Sequence, residues 1–155
     1  MQFATFTVML DKNEKCRNIT DIVKDMVSKW GAVSGLLLVF VKHTTCAISI
    51  NENESGLIKD FSDMLVQIVP TSGEKHNEKY YRHDDLQIRT ENLDKDREER
   101  VNGHAHLKAM LIGPSKTMPV INGILNFGTW QQILFFDFDD LAERQERTIT
   151  VSLLE

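Results

Sequence analysis

The sequence predicts a single α+β domain, residues 1–155, with a mainly antiparallel, β-sandwich-like core and packed helices. Several short segments alternate apolar and polar residues with the period of two that is typical of strands. Two longer segments repeat apolar residues at helical spacing. Asn122 and Gly123, between two apolar segments, are typical of a two-residue hairpin turn. A length of 155 residues suits one domain with a substantial core.

The first part of the chain is predicted to run strand, helix, strand. Residues 4–10 alternate and indicate a half-buried strand. The apolar residues of 19–30 share one face of a helix, and Gly31 is a natural place for that helix to end. The continuous apolar run 35–41 predicts a central strand that is covered on both faces.

The middle of the chain continues with a strand, a helix and a long segment without a pattern. A second alternating run ends at Asn51, and residues 57–68 have helical spacing that Pro70 ends. Residues 71–103 show no hydrophobic periodicity, and 16 of the 27 residues from 74 to 100 are charged. A segment of this kind is a functional loop or a disordered one.

The last part of the chain is predicted to be mostly β-structure. A short helix or strand at 104–111 precedes the hairpin, and residues 129–138 form a long strand pattern. Residues 148–154 close the chain as another alternating strand. The predicted order is therefore β-α-β-β-α-loop-short helix-β-β-β.

Composition excludes several classes of function. The net charge is 18 − 23 = −5, which argues against a nucleic-acid coat, and no basic run is present that would bind acidic lipids. No stretch approaches the roughly 20 apolar residues of a membrane span, and the N-terminus does not resemble a signal peptide. Two cysteines are too few for a disulfide framework, and Cys46 is predicted to be a buried thiol. We therefore expect a cytoplasmic protein.

Histidines are the most informative chemical groups. His43 follows an apolar strand, His83 lies in the charged segment, and His104 and His106 form a His-x-His pair. On a strand the last two would share a face and could hold one metal ion, whereas on a helix they would diverge. The alternative for each histidine is a solvated surface residue.

Two acidic residues stand between a strand and a helix. Glu52 and Glu54 are either carboxylates favoured by the helix macrodipole, or functional groups that act as a general base or orient a histidine.

A second polar group follows a Gly-Pro turn. Ser115, Lys116 and Thr117 could cradle an anion. Arg144 and Arg147 flank the last strand and either form exposed ion pairs or bind a phosphate. We expect the anion site to include Ser115 or Thr117 with one of these arginines.

The stretch "GTWQQ" is predicted to lie within a strand. A glycine there is typical of a bulge or a ligand contact. Trp130 is expected in the core, and either Gln131 or Gln132 is expected to face inward.

Taken together, "HTTCAISINENE", "YYRH", "NGHAHLKAMLIGPSKTMPVINGILNFGTWQQILFFDFD" and the arginine-rich end resemble the YjbQ family, also called the secondary thiamine-phosphate synthase enzyme family. The resemblance spans nearly the whole chain. It implies a compact α+β fold, a homotrimer, and clustered histidines that hold a divalent metal near a subunit boundary. The residues that match the family motifs are His43, Glu52, His83, His106, Trp130 and Gln131.

Two positions depart from the family pattern. His104 falls where the family varies. The family's Pro-Arg-x-Arg end is replaced by Glu143 to Arg147, so either Arg144 or Arg147 takes the family role.

The resemblance implies a metal-assisted enzyme of small phosphorylated metabolites, with condensation of a pyrimidine diphosphate and a thiazole phosphate as the named activity. We expect His83 and His106 to bind one divalent metal, preferably zinc, with His43 or His104 as third ligand. Glu52, His43 and Gln131 are the expected catalytic residues. The alternatives are a metal-dependent hydrolase of unknown substrate and a non-catalytic module that binds a small anion.

Overall fold

The computed structural model describes residues 1–73, 81–93, 95–96, 98–140, 143 and 145–155. It contains eight strands and three α-helices in its described part, and a single 3-10 turn, Arg82–Asp84, between the second and third helices. In chain order these are β1 (Gln2–Val8), β2 (Cys16–Asn18), α1 (Thr20–Lys29), β3 (Gly35–Val41), β4 (Cys46–Asn51), α2 (Ser55–Ile68), α3 (Gly103–Ile112), β5 (Ser115–Ile121), β6 (Ile124–Leu125), β7 (Gln132–Asp137) and β8 (Arg147–Leu154).

The strands form two antiparallel sheets. The large sheet has the order β1-β8-β3-β5-β6, and the small sheet has the order β2-β7-β4. This confirms the predicted α+β class with a mainly antiparallel core. No helix among the described residues is long and apolar enough to cross a bilayer.

The main core lies between the inner face of the large sheet, one face of the small sheet and helix α1. Alternate residues of each strand enter it, as the period of two requires. Both sheets and α1 contribute most of its members, which include Val8, Leu37, Val39, Val41, Ile149, Val151, Leu153, Ile48, Ile133, Phe135, Val23 and Val27. The other face of the small sheet packs on α2, where Phe61 meets Phe136 edge to face at 5.4 Å.

The helix ends follow the expected physics. Gly31 adopts φ +84° directly after α1. The Glu54 carboxylate accepts hydrogen bonds of 2.7 Å from the backbone N–H groups of Gly56 and Leu57 at the start of α2. These hydrogen bonds support the first interpretation of this carboxylate, in which it stabilises the start of a helix.

One prediction about β3 was wrong. Leu37, Val39 and Val41 are buried, but Leu36 and Leu38 are 53% and 38% exposed. The strand is central in the large sheet, yet the outer face of that sheet is not covered by another element of the described chain. Apolar residues on both faces of a strand do not show what covers the second face of its sheet.

The strand β7, Gln132–Asp137, is shorter than the strand that was predicted for residues 129–138. Residues 128–131 form a turn in which Gln131 donates its backbone N–H to the carbonyl of Gly128 at 3.0 Å. Trp130 is consequently 70% exposed instead of filling the core. The half-buried residue of the pair is Gln132, whose Oε1 accepts from Asn18 at 3.1 Å.

The β5–β6 hairpin gives a testable constraint. Gly123 has φ +77°, and a Cβ there would come within 2.5 Å of the Gly31 carbonyl oxygen. Gly31 has a similar φ, but a Cβ would meet nothing within 4 Å. Gly31→Ala should lower the free energy of unfolding by about 1–2 kcal/mol through the left-handed backbone alone. Gly123→Ala should lower it by more, and equal losses in urea titrations of the two variants would contradict the close approach.

Candidate active site

Four strand ends meet at one edge of the molecule. His43 lies two residues beyond the end of β3, and Arg147 is the first residue of β8. Cys46 begins β4 and pairs with Asp137, the last residue of β7. The connection from β3 to β4 crosses from the large sheet to the small sheet, so its side chains stand between groups from both sheets.

A closed ring of hydrogen bonds joins these strand ends. Arg147 donates from Nε to Asp137 Oδ2 at 2.8 Å, and from Nη1 to His43 Nε2 at 3.0 Å. His43 Nδ1 lies 3.0 Å from Thr45 Oγ1, and that hydroxyl lies 3.5 Å from Asp137 Oδ1. We call these four residues the buried ring, since the Arg147 and Asp137 side chains are 3% and 1% exposed.

His43 is therefore a neutral imidazole. A guanidinium only donates hydrogen bonds, so Nε2 must accept and cannot carry a proton. Burial and the nearby Arg147 charge both hold the pKa of His43 below its ordinary value. Both imidazole nitrogens of His43 make hydrogen bonds within the buried ring, which leaves neither free for a metal ion.

A second ion pair adjoins the buried ring. The Asp139 carboxylate is 2% exposed, pairs with Arg100, and has its Oδ2 3.8 Å from Arg147 Nη2. Asp139 Oδ1 and Arg147 Nη2 are buried and, within the described residues, have no hydrogen-bond partner. Within the described residues, Arg100 and Arg147 thus face two aspartates, Asp137 and Asp139.

The two predicted metal-binding histidines do come together. The His83 ring, in the 3-10 turn, lies 4.5 Å from the His106 ring of α3, centroid to centroid, with the planes tilted by 58°. Burial and the neighbouring His83 lower the pKa of His106, which favours the neutral form that ligates metals. The two rings are close together, but His83 Nε2 lies 3.5 Å from Arg89 Nη1, which leaves Nδ1 as the His83 nitrogen that could hold an ion.

The position of His83 is fixed through its neighbour. Asp84 accepts from Ser72 Oγ at 2.7 Å and from the Gly103 backbone N–H at 2.8 Å, which ties the turn to the start of α3. A Cβ at Gly103 would lie 2.8 Å from Tyr81 Cβ. Glycine is needed there because the turn packs directly on the helix.

His104 is separated from this pair because 104–111 is helical. Its side chain is fully buried, with Nδ1 3.0 Å from Ser72 Oγ and Nε2 3.3 Å from Asp140 Oδ1. Residues two apart on a helix point in different directions. His104 therefore braces the loop after α2 and does not face the other histidines.

Two cavities meet at His106 and Thr44. The polar cavity has a volume of about 580 Å³ and is lined by groups that include His83, Arg89 and Arg100. The apolar cavity, of about 650 Å³, is lined mainly by apolar side chains beside His43: Phe40, Val41, Cys46, Ala109, Met110 and Pro114. The part of the charged segment that includes Arg89 thus forms a wall of the site, which favours the functional-loop reading.

The Cys46 thiol is not a nucleophile in this site. It is 1% exposed, and burial, followed by the Asp137 charge, raises its pKa to about 12. This confirms the predicted buried thiol.

Glu52 and Gln131 lie far from His43. Glu52 is exposed just beyond the end of β4, and Gln131 precedes Gln132, the partner of Asn51. Cys46 is five residues back along β4, or roughly 17 Å at 3.4 Å per residue. The described chain therefore does not bring these two residues to His43.

The described residues do not bring Arg147 to the other members of the predicted anion site. Lys116 pairs with buried Val39, while Ser115 and Thr117 alternate with it and point to the outer face of the large sheet. Arg147 points inward. Lys116 instead donates to the Ile112 carbonyl at 2.8 Å at the end of α3. Arg144 lies outside the described residues.

Among the described residues, no group of three or more His, Cys, Asp or Glu side chains is arranged to hold a metal ion. The pair of His83 and His106 has no third protein ligand there. Sequence analysis missed Asp137 and Asp139, although "DFDD" directly after an apolar strand places carboxylates at a strand end, as at His43.

The state of His43 has a consequence for stability. Because its native pKa is lowered, the unfolded chain binds a proton here that the native chain does not, from about pH 6.5 down to the native pKa. This contribution is complete above about pH 6.5 and is lost as the pH falls through the native pKa. His43→Gln cannot titrate, so between about pH 7 and pH 5 its free energy of unfolding should fall less than that of the wild type. Identical losses in urea titrations would contradict this, since carboxylate effects are common to both proteins.

Comparison with known proteins assigns the family. The family model described as UPF0047 protein YjbQ-like matches residues 4–155. A UPF0047 protein of Methanothermobacter thermautotrophicus is 38% identical over 130 residues, which cover 84% of this chain and 78% of that protein. A UPF0047 protein of Archaeoglobus fulgidus is 37% identical over 147 residues, 95% and 98% of the two chains.

Solved structures agree with this assignment. A hypothetical protein of Aeropyrum pernix superposes with a TM-score of 0.75 at 34% identity, covering 99% of this chain and 98% of the other. A YbjQ-like protein of unknown function from Sulfolobus solfataricus gives 0.74 at 34% identity, covering 97% and 94%. By sequence over nearly its whole length, and by fold, the chain belongs to the YjbQ-like UPF0047 family.

Proposed function

We propose that this protein is a metal-assisted enzyme that acts on a small phosphorylated metabolite. The observation that carries the proposal is the facing pair of His83 and His106 at the boundary between a polar and an apolar cavity. A cleft with an apolar part and a few convergent polar groups is typical of a small-molecule site. Arginines at its polar end suit a phosphate, since the guanidinium fork matches two phosphate oxygens.

His83 and His106 would hold the metal, and zinc suits imidazole ligands better than magnesium does. A bound zinc supplies Lewis acidity, which stabilises negative charge on a phosphoryl or pyrophosphate oxygen. The remaining ligands would be water, the substrate or a group from another subunit. His43 and His104 are poor candidates because each has both ring nitrogens engaged.

The family resemblance suggests thiamine-phosphate synthesis as the specific reaction. In that reaction the thiazole nitrogen supplies the electron pair for a new C–N bond, and the pyrimidine C–O bond breaks with release of pyrophosphate. Arg89 and Arg100 line the polar cavity, and each would have to turn from its present partner, Glu99 or Asp139, to bind a phosphoryl group. The catalytic roles of Glu52, His43 and Gln131 stay predictions.

Metal content tests the first step. His83→Ala and His106→Ala should each lose stoichiometric zinc while the fold survives, because the apolar core does not involve these side chains. His43→Gln and the distant Glu52→Gln are matched controls that should keep the metal. Elemental analysis and native mass spectrometry of protein purified without chelators measure the stoichiometry. Full zinc content in both alanine variants would remove the site.

Turnover separates the three candidate functions. A synthase releases pyrophosphate only when both thiamine precursors are present. A hydrolase releases phosphate from one ester and loses that activity when a chelator removes the metal. A binding module retains a co-purifying ligand, visible by native mass spectrometry, without turnover.

We also propose a homotrimer, assembled partly through the outer face of the large sheet. Apolar side chains stand exposed along that face: Phe3, Leu36, Leu38, Phe40, Ile121, Ile124 and Leu154. Contiguous apolar surface of this kind typically marks a protein contact. Light scattering should give three times the mass of one chain, and Leu38→Asp should reduce that mass, with Lys59→Asp on α2 as a surface control. A monomer at micromolar concentration would contradict the proposal.

A further inference from the structure

The buried ring contains two residues to which no role has yet been given. Asp137 and Thr45 come from the small sheet and from the connection that leads into it, whereas Arg147 begins a strand of the large sheet. Thr45 is 1% exposed. A buried hydroxyl and a buried carboxylate that each contact a charged or titratable partner are unusual in a core built otherwise from apolar side chains.

The geometry fixes where the single imidazole proton of His43 lies. Nε2 faces Arg147 Nη1 at 3.0 Å and must accept, so the proton lies on Nδ1 and is donated to Thr45 Oγ1 at 3.0 Å. The Thr45 hydroxyl can then donate to Asp137 at 3.5 Å. The direction of donation is consistent around the ring and returns to Asp137, the acceptor of Arg147 Nε.

One contact competes with this assignment. The Thr45 backbone N–H points at His43 Nδ1 at 3.3 Å, and this hydrogen bond would need an unprotonated Nδ1. The contact from Arg147 is shorter and charge-assisted, and such hydrogen bonds are roughly twice as strong as neutral ones. Since a neutral imidazole carries a proton on one nitrogen, the contact with Arg147 prevails.

Burial is the main reason that the pKa of His43 is lowered, and the charges of Arg147 and Arg100 act in the same direction, whereas those of Asp137 and Asp139 oppose it. A proton on Nε2 would also point a donor at the Arg147 guanidinium, which can only donate.

We propose that Asp137 and Thr45 are positioning residues that lock Arg147 and His43 in one orientation, with the His43 proton on Nδ1. The proposal rests on the proposed function only in placing the ring at the active cleft. It assigns His43 the role of a hydrogen-bond acceptor for Arg147 instead of a metal ligand. It also predicts that His43→Gln keeps Arg147 in its orientation, because glutamine Oε1 can accept in place of Nε2. His43→Ala should not keep it.

Nitrogen-15 NMR of the imidazoles tests this on the wild-type protein, and a variant is needed only to assign the His43 signal. His43 is assigned by the signal that disappears in His43→Gln. We expect the unprotonated, pyridine-like nitrogen to be Nε2, and the pattern to be unchanged after one equivalent of zinc. A proton on Nε2, or a shift of the His43 nitrogens on zinc binding, would overturn the proposal.

Matched substitutions then test the two positioning residues. Thr45→Val keeps the shape of the side chain but removes the hydroxyl that accepts the Nδ1 proton, so the fraction of His43 with its proton on Nδ1 should fall, although Arg147 still favours that form. Thr45→Ser should restore it. A purely steric role for Thr45 predicts the opposite order, with valine normal and serine defective, and that result would also overturn the proposal.

Zinc stoichiometry keeps this test separate from the proposed function. If zinc binds through His83 and His106 but also shifts His43, the positioning proposal fails and the metal site stands. If no zinc binds and His43 still carries its proton on Nδ1, the metal proposal fails and the buried ring stands.

Discussion

The ion pair between Asp137 and Arg147 is the interaction on which the candidate site depends. It joins the end of a small-sheet strand to the start of a large-sheet strand in a place almost without solvent. Removing one partner of a buried pair leaves an uncompensated charge and typically costs 3–5 kcal/mol. The pair therefore fixes the position of one sheet relative to the other at the edge where the cleft opens. His43 and Thr45, on the connection between the sheets, take their positions from it.

The fold was largely predictable because its strands and helices follow simple periodicities. Alternation placed Ile149, Val151 and Leu153 on one face, and all three are buried. Periodicity cannot show which element, if any, covers the second face of a sheet. Leu36 and Leu38 are apolar and exposed for that reason, and Trp130 lies in a turn whose hydrogen bonds are made locally by its neighbours. The strand β2 was missed because three residues are too few for a pattern.

The site was predictable only where chemistry is local in the sequence. His83 and His106 do lie side by side, although their binding of a metal stays a prediction, while the separation of His104 from His106 required knowledge that α3 is a helix. His43 and Arg147 are 104 residues apart, and no spacing rule connects them. Asp137 was missed because a carboxylate ending a strand is common on surfaces. Only its burial against Arg147 distinguishes it.

Charge balance links the two halves of the site. Among the described residues, Arg147 and Arg100 are each paired with an aspartate, so either guanidinium would have to leave its partner before it could bind an incoming anion. Imidazole ligands are neutral, so a divalent ion held by His83 and His106 would keep its charge available for phosphate. Carboxylate ligands would instead cancel that charge. A histidine pair beside arginines that are already paired thus suits a site in which a metal ion and an anion bind together. The apolar cavity would then hold the uncharged part of the substrate.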